Sequence, residues 1–123
     1  MDIRIKATDF EMNSQVQDYL DDRLLAIEKH MGGDAEIARC EVELGRAAGH
    51  SQTGENWFAE LQVHVPGNDV VRVVAYDTTV NAAIDAAKDE LLGRLKKDRT
   101  KRFARTRKAG AKIKEWLRFG SRK

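Results

Sequence analysis

Between Thr78 and about Arg107 the chain changes character within a single helical stretch, and that change constrains everything before it. Val80, Ala83, Ala87, Leu91 and Leu95, with Ile84 beside them, recur at three- and four-residue steps. That is the spacing of one apolar face on an α-helix, and such a face has to be covered. The preceding residues must therefore supply a surface for it to lie on. From Arg94 to Lys108 the stripe gives way to a run that is almost purely cationic. The spacing predicts a helix that belongs to a core at one end and offers a polycation at the other.

The rest of the chain supplies what that helix needs. Ile3, Ile5 and Ala7 alternate with Arg4 and Lys6, the period-two pattern of a half-buried strand. Asn13 is placed to cap a helix, along which Val16, Tyr19, Leu20, Leu24, Ile27 and Met31 form an apolar stripe that Gly32-Gly33 ends. Ala38, Cys40, Val42 and Leu44 alternate again, and Gly45–Glu55 reads as a polar, Gly-rich loop, the most mobile part of the body. Trp57, Ala59, Leu61, Val63 and Val65 make a third alternating strand. Pro66-Gly67-Asn68 turns the chain into the β-branched run Val70–Tyr76. Thr78 or Thr79 then caps the last helix.

The order is thus β-α-β-β-β-α. A strand, a helix and a strand predict a right-handed parallel crossover, and the remaining strands an antiparallel meander. The expected fold class is α+β: a two-layer sandwich in which two helices cover one face of a four-stranded mixed sheet. Its final β-β-β-α order looks like that of double-stranded RNA-binding domains. The expected division is a folded domain over 1–97 and a basic tail over 98–123. The tail has little apolar face, so it is expected to be poorly ordered alone and to order on binding.

Charge is divided along the same line. Residues 94–123 carry 14 Lys/Arg against two acids, while residues 1–93 carry 8 Lys/Arg against 18 Asp/Glu. A net charge of +2 therefore hides opposed halves, and the C-terminal segment carries the field that attracts a polyanion. Trp116, Phe103 and Phe119 lie among these cations. They are suited to stack on exposed bases or, for Trp116 with Leu117, to fold back on the body.

Other chemistries find little support. The single Cys40 makes no internal disulfide and falls on the apolar side of its strand, which predicts a buried, inert thiol in a reducing compartment. His30, His50 and His64 lack metal-ligand spacing, and His64 is expected on the wet face of the sheet. Gly45–Gly54 lacks the spacing of a phosphate-binding loop and leads into a strand. Asp18, Asp21 and Asp22 read as solvated surface. The N-terminus alternates charged with apolar residues where a signal peptide would show an unbroken apolar segment. The sequence thus predicts a soluble cytoplasmic protein with no catalytic residue, no cofactor, no metal and no small-molecule substrate.

Several pieces together carry a family resemblance. Asp22-Arg-Leu-Leu-Ala-Ile-Glu-Lys29, Val63-His-Val-Pro-Gly67 and Ala82-Ala-Ile-Asp85, followed by Leu91 and Arg94-Leu-Lys-Lys97, in this element order resemble the short ribosome hibernation-promoting factors. That family includes the ribosome-associated inhibitor and bears the older label of sigma-54 modulation protein; the resemblance covers roughly residues 1–100. It implies a protein that binds the small ribosomal subunit between head and body, where messenger and transfer RNAs would lie, and keeps idle ribosomes inactive. Arg23, Lys29 and Lys97 match the family's RNA-facing cations. Glu90 and Gly93 stand where many members carry Lys and Arg, and Asn81 where an aromatic residue is usual.

Charge and position add Lys88, Arg94, Lys96, Arg99, Lys101 and Arg102 to those three as the expected RNA-binding set. The expected partner is ribosomal RNA of the small subunit, met by a monomer away from any membrane. Two other readings stay open on the sequence. One is a protein-interaction module that modulates transcription or the stress response through its acidic body, and the other is a general binder of double-stranded RNA.

Overall fold

A computed structural model describes residues 1–47 and 54–98. The expected mobile loop falls largely on 48–53. The ordering of the tail and the packing of Trp116 fall on 99–123. All three expectations lie outside the described residues. Met1–Gly93 form one compact unit.

The elements follow the expected order: β1 (Asp2–Thr8), α1 (Ser14–Met31), β2 (Arg39–Arg46), β3 (Trp57–His64) and β4 (Val71–Asp77), then a helix, α2, described over residues 80–98. Helix α1 begins where the Asn13 side chain accepts the Val16 N–H at 2.9 Å. It ends at Gly32, whose φ of 61° suits glycine and whose N–H reaches the carbonyl of Glu28. A short 3-10 turn over Gly32–Glu36 follows, which the sequence pattern had not indicated. Of the two candidate caps for α2 it is Thr79 whose hydroxyl accepts the Ala82 N–H, at 3.1 Å. The Thr78 N–H goes instead to Asp77, at 2.7 Å.

The strands lie in the order β1-β2-β3-β4. β1 runs parallel to β2, so α1 is a crossover, and β2, β3 and β4 are antiparallel neighbours. Cys40, Val42 and Leu44 on β2, Ala59, Leu61 and Val63 on β3, and Val71 and Val73 on β4 are all buried. Against them lie Val16, Leu20, Leu24 and Ile27 of α1 and Ala83, Ile84, Ala87 and Leu91 of α2. Period two on the strands and period 3.6 on the helices thus meet in one layer, with both helices on the same face of the sheet.

Two details differ from the sequence expectation. Ile3, Ile5 and Ala7 stand in register with Cys40, Val42 and Leu44, yet Ile5 stays 38% exposed. β1 is an edge strand with a neighbour on one side only, so alternation there does not guarantee burial. Gly45, expected to open the loop, is instead buried inside β2 between Thr8 of β1 and Phe58 of β3. A Cβ at this position would come within 2.5 Å of the Thr8 carbonyl oxygen and 2.8 Å of the Phe58 ring. The close approach of three strands requires glycine here, which a loop reading of the same residue misses.

Candidate nucleic-acid interface

Tyr19 and Arg23 are four residues apart on α1, so they share one face of that helix. Asp85 on α2 meets both. The Tyr19 hydroxyl donates to Asp85 Oδ2, and Arg23 Nε donates to Asp85 Oδ1 at 2.9 Å. The guanidinium lies over the Tyr19 ring, 3.8 Å from its centroid, and its Nη1 donates to Asp22 at 2.7 Å. A flat cation therefore rests on a ring, fixed at one edge by the neighbouring helix and at another by an exposed carboxylate.

Burial by itself would raise the Asp85 carboxyl pKa, but the Tyr19 hydroxyl and the Arg23 guanidinium outweigh it and hold the group below its ordinary value, with Lys88 adding through space. The same contact with Asp85 raises both Tyr19 and Arg23. Asp85 is therefore an anion, and Tyr19 and Arg23 its donors.

The expected RNA-binding residues fall into three groups. Arg23 is half-buried and already engaged. Lys88, one turn after Asp85 on α2, pairs with Asp89 at 3.2 Å. Lys29, in the last turn of α1, is exposed. Arg94, Lys96 and Lys97 are exposed helical residues that fall outside the Met1–Gly93 unit. Arg99, Lys101 and Arg102 lie outside the described residues. Asp85 thus joins Arg23 and Lys88 in one cluster that charge counting along the chain does not reveal. Tyr19, read from its spacing as part of the apolar stripe, turns out to be half-buried with its hydroxyl in the polar contact. The sequence-level trace of the cluster is the four-residue step from Tyr19 to Arg23 together with a lone carboxylate among the alanines of α2.

The open face of the sheet is built differently. Glu41, Glu43 and Glu60 lie on the two central strands, while Arg4 and Lys6 on β1 and Arg72 on β4 lie on the edges. Arg72 Nε pairs with Glu60, and the Thr8 hydroxyl donates to Glu43 at 2.9 Å. Phe58 and Tyr76 stand side by side, 6.4 Å between ring centroids and tilted by 48°. His64, expected to be exposed on this face, is half-buried. The central carboxylates lie between the basic edges, with Glu41 and Glu60 paired to Arg39 and Arg72, so among the described residues this face has no continuous cationic stripe.

Cys40 is fully buried, and burial, followed by the fields of Glu28 and Glu41, pushes its thiol up to about 12. A thiol in that state is neither nucleophile nor metal ligand at neutral pH. Among the described residues no group of His, Cys, Asp and Glu is arranged to hold a metal ion, and no helix is long and apolar enough to cross a membrane.

A four-stranded mixed sheet under two helices defines the class: a two-layer α+β domain. The chain belongs to the Sigma 54 modulation protein / S30EA ribosomal protein family, whose profile matches residues 3–102. The crystal structure of the N-terminal domain of Protein Y from Thermus thermophilus is similar, with 28% sequence identity and a TM-score of 0.64, over 79% of this chain and 98% of that one. A ribosomal subunit interface protein from Coxiella burnetii has a TM-score of 0.66 over 81% of this chain and 99% of that one. At 12% identity it bears on the fold alone. No curated protein sequence matches this chain.

Proposed function

We propose that this protein is a hibernation factor that binds the small ribosomal subunit in the path of messenger and transfer RNA and inhibits translation by occupying it. The observation that carries the reading is family membership over residues 3–102 joined to the segregation of charge, with 14 of 22 Lys/Arg in the last 30 residues. An acidic body avoids indiscriminate adhesion along its own surface, while the cationic segment meets rRNA phosphates and releases their counterions. In this reading 1–97 is the ribosome-binding domain and 98–123 an additional basic arm. Recognition is of shape and charge, and obstruction requires no bond to be made or broken.

Such a mechanism has a clear signature in salt. If six to eight phosphates are contacted, co-sedimentation with small subunits should fall by roughly three orders of magnitude between low and moderate salt. Replacing Lys96, Lys97, Arg99 and Arg102 together by Ala should weaken that binding and flatten its salt dependence. Glu90→Lys, at an exposed helical position, should act in the opposite direction. Binding that is unchanged by the fourfold replacement would overturn the proposal.

A further inference from the structure

We infer that Asp85 and Tyr19 are positioning residues that set Arg23 in place as a phosphate-binding guanidinium, and that Asp22 is the exposed carboxylate which an incoming phosphate displaces. The inference rests on the ribosomal-RNA reading above and concerns how one part of that surface works.

The geometry separates the partners of Arg23 by how firmly each is held. Asp85 belongs to the other helix, is 41% exposed on its side chain, and is itself fixed by the Tyr19 hydroxyl. The Tyr19 ring supports the guanidinium from below at 3.8 Å. Asp22 is the residue next in sequence, and its side chain is 70% exposed. A phosphate presents paired oxygens at a spacing close to that of a carboxylate, so it can take the place of Asp22 on the Nη edge while Asp85 keeps Nε. An unconstrained arginine loses rotamer freedom when it grips a phosphate, whereas this one has lost much of it already. Lys88 lies one turn beyond Asp85 on α2 and adds a second cation to the same seam.

Charge counting and positioning make opposite forecasts. Asp22, Asp85 and Asp89 outnumber Arg23 and Lys88 in the seam. By charge alone, removing any of these acids should strengthen binding of a polyanion. By positioning, removing Asp85 should weaken it, and only the loss of Asp22 should strengthen it.

The experiment is salt-dependent co-sedimentation of the full chain with purified small ribosomal subunits, with the fold of each variant checked by circular dichroism. Arg23→Ala should weaken binding roughly tenfold and lower the salt slope by about one. Asp85→Ala should weaken binding by at least about threefold and lower the slope in the same way, and adding it to Arg23→Ala should cost little more. Asp85→Asn, which keeps an oxygen acceptor for Nε, should recover part of the loss. Asp22→Asn should tighten binding by roughly two- to fivefold. Wild-type affinity or better in a folded Asp85→Ala overturns the inference. Should that variant not fold, Tyr19→Phe decides: it keeps the ring but frees Asp85, so unchanged affinity overturns the inference and a weaker one supports it. Failure of the wild-type chain to bind small subunits would instead overturn the proposed function.

Discussion

The helix layer and the open sheet face each hold an arginine against a carboxylate from a neighbouring element, and the two pairs are embedded differently. Arg72 on β4 reaches Glu60 on β3 with its own side chain 60% exposed. Arg23 is 26% exposed, lies on an aromatic ring, and meets a carboxylate that a tyrosine hydroxyl also holds. An exposed pair contributes little, because water competes for both charges and salt screens them. Around Arg23 the additional contacts restrict the guanidinium to one orientation. Arg72 is thus placed by an exposed pair between adjacent strands, whereas Arg23 is oriented by groups from both helices.

If the two sides of the sheet are packed unequally, truncations on them should differ in cost. Leu24→Ala, on the covered side, should cost about 2–5 kcal/mol in chemical denaturation, by lost burial and a residual cavity. Val74→Ala, half-buried on the open side, should cost about 1 kcal/mol or less. Equal losses would mean that the open face is packed against something.

Gly45 is the position where the open side should prove intolerant. Gly45→Val forces side-chain atoms into the space held by the Thr8 carbonyl and the Phe58 ring, and about 1–3 kcal/mol of destabilisation is expected. A neutral result would show that β1 and Phe58 yield easily, and the open face would then be softer than its register implies.

The smallest effect concerns acid. The folded-state value of Asp85 lies below its unfolded one, so its stabilisation is complete above the unfolded carboxylate range and is lost as pH falls through the lower folded value. Its side chain is 41% exposed, so solvent screening keeps the contribution small. Melting temperatures followed from neutral pH down to about 2 should therefore show a shallower acid decline for Asp85→Asn than for wild type. An acid decline in Asp85→Asn as steep as that of wild type would erase the distinction between the two arginines.

Much of the fold is legible in the sequence because its signals are local. Alternation at Cys40–Leu44 and Ala59–Val63, a helical stripe from Val16 to Ile27, the Asn13 cap and the Gly32 stop each act within a few residues, and each is visible before any packing is known. The separation of charge between body and C-terminal segment is equally plain, since it needs only counting. What depends on neighbours distant in the chain is hidden. The exposure of Ile5 follows from β1 being an edge strand, and the need for glycine at position 45 follows from the convergence of Thr8 and Phe58. The Asp85 clasp joins residues 62 and 66 positions apart, so no periodicity within either helix announces it. Sequence alone determined which faces are apolar and where the cations gather, because period and composition are properties of short stretches. Only the tertiary structure decided which arginine is clasped and by what, because that is settled by two helices, distant in the chain, meeting at Asp85.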